Sequence, residues 1–160
     1  MLRPLRLEDA ESLMRVFTDS ALLEYWSRGP VQSIEEMREY MTWNVENEHV
    51  QSFAIVPSQN PSDAWGWVAL VEKSTDMDHV GIVLKTSAHG KGYATKALEA
   101  AILISKKERK KKVIEADIDP ENLKSIALFE RCGFKKQRTE KGAWHTHIGV
   151  RDSVFYTRFL

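Results

Sequence analysis

Apolar positions along the chain change their period several times, and each change marks an element. Leu13, Val16 and Phe17 recur at helical spacing, and Glu8 and Asp9 stand in the first turn, where the helix dipole favours acids. Residues 2–7 before them predict a short strand, and residues 19–26 a second short helix. Ser33 with Glu36 three positions on has the pattern of a reciprocal capping box, and Met37, Tyr40, Met41 and Asn44 continue at helical spacing. The period then falls to two. Residues 51–56, 64–72 and 78–85 predict three strands, with Trp65, Trp67, Ala69 and Val71 sharing one face of the second. Pro57, Asn60 and Pro61 lie in the hairpin connection between the first two. A helix follows over 92–108, with Ala97, Leu98, Ala101, Ile102 and Ile104 or Ser105 on its inner side. Residues 112–118 predict a strand, and a helix carrying Ile126, Ala127, Phe129 and Glu130 runs on to Gly133, which stops it at C′. Residues 134–139 and 153–159 read as the last strands, with His145 and His147 in or near their hairpin.

Strand, helices, an antiparallel meander, then strand–helix–strand–helix–strand–strand places one parallel crossover in an otherwise antiparallel sheet. That is an α+β, or mixed α/β, architecture. The 160 residues fit a single domain spanning 1–160. Lys plus Arg and Asp plus Glu number 23 each, so the basic excess of a nucleic-acid-binding surface is absent. The one cysteine, Cys132, excludes an intramolecular disulfide scaffold. No apolar run approaches the ~20 residues of a membrane span, and the opening residues lack the apolar core of a leader. The expectation is a cytoplasmic protein.

Chemistry concentrates at His89-Gly90-Lys91-Gly92-Tyr93-Ala94. Glycines directly before a helix let a ligand approach the backbone, and their amides join the free N–H groups of the first turn in an anion site. The bland alternative is a tight turn that needs glycine for its dihedrals. A P-loop fails because Lys91 lies between the glycines with no Ser or Thr after it. A dinucleotide fingerprint would need Gly or Ala where Thr95 stands; Asp117 lies where a ribose-binding acid would, but only one parallel crossover is present.

The segment resembles the GNAT acetyltransferase superfamily, whose motif is Gln/Arg-x-x-Gly-x-Gly/Ala. The stretch from Asn122 through Ser125, Leu128, Glu130 and Gly133 to Phe134 is similar to the family's next motif, and the opening LRPLRLEDAESL and the segment Asp152–Tyr156 also match. The similarity is greatest to the branch of ribosomal-protein N-terminal acetyltransferases and their small-molecule relatives. It implies a mixed, mostly antiparallel sheet, splayed between strands 4 and 5, with helices on both faces. It also implies acetyl-CoA as co-substrate. Backbone groups of Ile82, Val83 and Leu84 would pair with the pantetheine arm. His89 and the amides of Gly90, Lys91, Gly92, Tyr93, Ala94 and Thr95 would hold the pyrophosphate, with Asn122 and Phe129 reaching the cofactor from the next helix. Relatives often dimerise through their C-terminal strands, so a homodimer is implied too.

The sequence departs from the family pattern in three places. His89 replaces Gln or Arg, which predicts a weaker or pH-sensitive contact. Phe129 stands where many relatives carry a tyrosine acid, and Ser125 one turn earlier is the remaining candidate donor to the leaving thiolate. His79 stands where a glutamate base is common, and a histidine suits base work near neutral pH. Trp26 and Glu35 are candidate substrate contacts. Cys132, at a helix C-terminus where the dipole opposes a thiolate, reads as a buried hydrophobe. The basic run 106–112 reads as a solvated helix end, with a CoA phosphate or a nucleic-acid-bearing partner as the alternative. His145 and His147 lack a third ligand, so no metal is expected. The expected activity is acetyl transfer to a primary amine, of a small molecule or a protein N-terminus, by direct attack. Phe129 and Lys96 keep a non-catalytic acyl-CoA-binding module open, and a Rossmann-type nucleotide binder is the remaining alternative.

Overall fold

The computed structural model describes residues 1–160. Strands β1 (Leu2–Pro4), β2 (Val50–Ile55), β3 (Gly66–Ser74), β4 (Met77–Leu84), β5 (Val113–Ile118), β6 (Lys135–Thr146) and β7 (Gly149–Phe159) form one seven-stranded sheet in the order β1-β2-β3-β4-β5-β7-β6. Every neighbouring pair is antiparallel except β4–β5. The helices are α1 (Ala10–Phe17), α2 (Ile34–Glu46), α3 (Tyr93–Lys107) and α4 (Leu123–Arg131). None is long and apolar enough to cross a membrane.

Two apolar layers hold helices to the sheet. Leu13, Val16 and Phe17 of α1 and Met37 and Met41 of α2 pack on Ala54, Trp67, Ala69 and Val83 on one face. Leu98, Ala101 and Ile102 of α3 and Phe129 of α4 pack on Val68, Leu70, Val80, Ile114, Ala116 and Ile118 on the other. Trp65 departs from the expected shared face. It precedes β3, and its ring meets Tyr93 edge-on at 5.2 Å.

Several sequence expectations need correction. Residues 19–26 form turns, not a helix: the Asp19 carboxylate accepts from the Leu22 amide at 3.1 Å, and single bonds from Leu23 to Asp19 and from Trp26 to Leu23 replace a continuing ladder. The first strand stops at Pro4 rather than residue 7. The box at Ser33 is half-formed. Ser33 Oγ accepts from the Glu36 amide at 3.1 Å, but the Glu36 carboxylate takes the Gln32 amide at 2.6 Å and pairs with Arg28. The last hairpin is longer than expected and turns at His147–Ile148.

The basic run is only partly a solvated helix end. Arg109 donates two bonds of 2.8 Å to Asp78, which is 0% exposed and also accepts from Ser105 Oγ at 2.8 Å. Lys111 is buried, and its Nζ reaches Glu72 at 2.6 Å and the carbonyls of Ser74 and Thr75 at 2.9 and 3.2 Å. These bonds clasp the α3–β5 connection to the β3–β4 hairpin.

Candidate active site

β4 and β5 pair over three positions, Met77↔Val113, Asp78↔Ile114 and His79↔Glu115, and then part. β4 stays bound to β3 as far as Leu84. From Val80 onward its other edge has no strand beside it. The gap is the cleft. Val80, Gly81 and Ile82 form one wall, and Asn122, Ser125 and Phe129 of α4 another. Asp117, Ile118 and Asp119 continue from β5, and Tyr25 and Trp26 close the cleft from the α1–α2 connection.

The turn between β4 and α3 lies at the end of β4. Gly90 and Gly92 have φ of 72° and 77°, the left-handed region that disfavours side chains, and a Cβ on either would meet nothing within 4 Å. The first backbone bond of α3 runs from the Lys96 amide to Gly92 at 3.0 Å, and the amides of Gly90 through Thr95 have no partner in the protein. Those free donors, at the positive end of a 15-residue helix, fit a diphosphate. Tyr93 is packed against Trp65, whose ring also carries Lys85 Nζ 3.9 Å from its centre. The foot of the turn is thereby held rigid. The His89 ring bonds the Leu84 carbonyl at 2.7 Å and so ties the turn to β4. Its backbone lies beside the free amides, while its ring is taken up by the Leu84 carbonyl.

α4 is fixed at both ends. Asn122 caps it, with Oδ1 accepting from the Ser125 amide at 3.1 Å. At the other end the Phe134 amide bonds Phe129 O and the Gly133 amide bonds Glu130 O, at 3.1 and 2.9 Å. This is a Schellman closure, with Gly133 at φ 81° and the Phe129 and Phe134 rings in edge contact at 5.0 Å. The closure sets the azimuth of α4, so Ser125 and Phe129, four residues apart, both face the cleft. The Ser125 hydroxyl makes no hydrogen bond within the protein. Cys132 is buried outside the cleft, and burial pushes its thiol up.

Of the residues expected from sequence, Trp26, Ile82, Asn122, Ser125 and Phe129 line the cleft. Trp26 Cη2 lies 3.8 Å from where a Gly81 Cβ would be, and its Nε1 donates to Tyr40 Oη at 3.0 Å. Val83 and Leu84 continue β4 toward the glycine turn. Glu35 is exposed on the first turn of α2 and does not line the cleft. Its own backbone, Ser33 and Arg38 hold its carboxyl below the usual range. His79 stands behind the cleft wall, with Nε2 2.7 Å from Asp117 Oδ1.

Asp117 and Asp119 are the cleft carboxylates that sequence reasoning did not place among the site residues. Alternation along β5 was the available signal: Ile114, Ala116 and Ile118 face α3 and α4, so Asp117 faces the other way. Burial opposes ionisation of Asp117, but the hydrogen bond and charge of His79, helped by Trp144, hold it below the ordinary range. Burial likewise opposes ionisation of Asp119. Arg151, at 2.7 and 3.0 Å, brings it down.

The residues 1–135 match the family model described as an acetyltransferase (GNAT) domain. The chain is 24% identical over 140 residues to the uncharacterized N-acetyltransferase p20 of Bacillus licheniformis, covering 85% of this chain and 79% of that protein. It is 24% identical over 139 residues to the spermidine N(1)-acetyltransferase of Escherichia coli strain K12, covering 83% and 71%. Among solved structures, the spermidine N-acetyltransferase of Vibrio cholerae in complex with CoA and spermine superposes with a TM-score of 0.86 at 20% identity, over 99% of this chain and 94% of that one. An acetyltransferase of the GNAT family from Bacillus anthracis superposes equally, with a TM-score of 0.86 at 22% identity over 99% and 93%. This chain belongs to the GNAT acetyltransferase family.

Proposed function

We propose that this acetyl-CoA-dependent N-acetyltransferase takes a primary aliphatic amine that arrives as a cation, with polyamines the leading class. The carrying observation is the cleft itself. It opens between β4 and β5, ends at an unpaired anion turn, and presents two carboxylates and the rings of Tyr25 and Trp26 with no Lys or Arg in its lining. Carboxylates and aromatic faces both favour an alkylammonium group. The similarity to spermidine N-acetyltransferases supports the same class.

The division of labour follows from position. The amides from Gly90 to Thr95 hold the diphosphate. The free edge of β4 from Ile82 to Leu84 pairs with the amide-bearing arm as an added strand. Asn122, Ser125 and Phe129 close over that arm, Phe129 by apolar contact. When bound, acetyl-CoA supplies an acyl group activated as a thioester. Of the β4 amides near Val83 and Leu84, that of Val83 is paired to Trp67, while that of Leu84 is on the open edge and donates to the carbonyl oxygen as negative charge grows on it, a contact of the kind worth roughly 10²–10³ in rate. The amine, neutral after losing a proton to water at the cleft mouth, forms the new N–C bond as the C–S bond breaks. Its remaining excess proton ends on the departing sulfur by way of the Ser125 hydroxyl. The buried single thiol fits a reducing, cytoplasmic setting. Pairing of two copies through the C-terminal strands is a further expectation, read by sedimentation.

The test is thiol release from acetyl-CoA against a panel holding spermidine, a diamine, an amino sugar and peptide N-termini. Turnover of spermidine or the diamine is expected. Preference for peptide N-termini overturns the polyamine assignment. Cofactor binding without release for any amine favours the non-catalytic module, and a thermal shift with NAD but not CoA favours the nucleotide binder.

A further inference from the structure

Asp117 stands two residues past Glu115, the last β5 residue paired to β4, where the strands have begun to separate. It lies on the cleft side of β5, while its strand neighbours Ala116 and Ile118 are buried under α3 and α4. His79 crosses the apex of the gap and meets Asp117 Oδ1 through Nε2 at 2.7 Å. A carboxylate partner places the proton on that nitrogen. The other ring nitrogen, Nδ1, is buried and has no partner, so the ring's polar contact with the fold is the one to Asp117.

The two cleft carboxylates differ in what they have left to offer. Asp119 is taken by the fork of Arg151, which also reaches Glu121 at 2.7 Å. Asp117 has the His79 ring and the Trp144 indole as its partners, and no guanidinium or ammonium group bonds it. Tyr25 and Trp26 line the same cleft, which has no Lys or Arg in its lining. A carboxylate kept ionised below its usual range is poorly matched to storing a proton near neutral pH. It is well matched to holding a cation, and an aliphatic amine of pKa about 10 is almost wholly cationic there.

We propose that Asp117 binds the ammonium group of the acceptor and that His79 is its positioning residue. The proposal rests on the amine-acetylating reading above. The ammonium sits between the Asp117 carboxylate and the Trp26 and Tyr25 rings. His79 Nε2–H fixes the carboxylate rotamer, so the same oxygen is presented to each incoming amine. The base role expected of His79 from sequence becomes a supporting one, because its free nitrogen is enclosed.

The experiment measures binding apart from turnover. Butylammonium is titrated by NMR into the complex of the protein with CoA, with 1-butanol as the uncharged control, for the wild type and for Asp117→Asn, His79→Ala and His79→Gln. Wild type should bind butylammonium at least tenfold more tightly than 1-butanol, and Asp117→Asn should abolish that preference while CoA affinity stays within error. His79→Ala should weaken butylammonium binding several-fold, and His79→Gln, which keeps an N–H donor, should recover part of it. In turnover, Asp117→Asn should raise KM for spermidine at least tenfold with kcat changed less than threefold. Unchanged butylammonium binding in Asp117→Asn, or a fall in kcat at constant KM, overturns the proposal. Butylammonium binding that depends on Asp117 in a protein that acetylates no amine would sink the transferase reading and leave Asp117 as an ammonium site without the acceptor role.

Discussion

The two halves of β4 behave as different materials. From Met77 to His79 the strand is bonded on both edges and anchored by Asp78, whose carboxylate is enclosed by Ser105 and Arg109. From Val80 to Leu84 it is bonded on one edge only. An abandoned sheet edge inside a protein costs about 1–3 kcal/mol for each buried group left unpaired, so the open half calls for a ligand or for water. The contrast shows how a sheet can be made to part at a chosen residue. A buried, two-bonded ion pair, Arg109 with Asp78, sits just before the separation, and the helix that follows offers its free amides just after it.

Removing the anchor should have the largest effect. Asp78→Ala leaves Arg109 and Ser105 without their acceptor and should cost about 3–5 kcal/mol, read by urea unfolding; a loss below ~1 kcal/mol would mean that the clasp does not hold the closed half. Gly92→Val places a branched side chain at φ 77° and should cost about 1–3 kcal/mol of stability. It should also weaken acetyl-CoA binding at least tenfold by calorimetry, because the turn's amides shift. Cofactor affinity at the wild-type level would disconnect the open half from the anion turn. Ser125→Ala should lower kcat about tenfold while the dissociation constant of acetyl-CoA holds. Equal kcat values would leave proton return to water.

The smallest effect is in acid. Asp117 and Asp119 lie below the ordinary carboxylate range when folded, against burial, through His79 and Arg151. Their contribution is therefore complete above an unfolded value of about 4 and drains away as pH falls through the folded values. The melting temperature should be level from about pH 7 to 5 and decline below about 4. In Arg151→Gln the melting temperature should be lower near neutral pH and its decline in acid shallower, since Asp119 then titrates closer to its unfolded value and less stability is left to lose. An acid decline as steep as that of the wild type would show that the pair is too exposed to count.

Much of the fold was legible because it is written in local periodicity. Ala97, Leu98, Ala101 and Ile102 all turn inward as their spacing requires, and Ser105 rather than Ile104 completes the buried stripe. Gly133 ends α4 where a C′ glycine should. The glycine turn before α3 was legible for the same reason, since glycines before an amphipathic helix form a local pattern. Contacts made across the fold left no such trace. Apolar spacing at Leu22, Leu23 and Trp26 resembles a helix, yet Asp19 folds its side chain onto the Leu22 amide and ends the ladder. His79 meets Asp117 only once two strands far apart in sequence are side by side. The His89 ring could be read as a ligand until the return of β4 placed the Leu84 carbonyl within reach.

Lys110, Lys111 and Lys112 are consecutive, yet their amines live in different worlds. Lys112 is 74% exposed, while the side chain of Lys111 is 4% exposed with three acceptors around its nitrogen. An amine-directed label should therefore mark Lys112 rapidly and spare Lys111 until the hairpin clasp opens. Mass spectrometry of adjacent residues then becomes a built-in gauge of that opening, one lysine supplying the signal and its neighbour the reference.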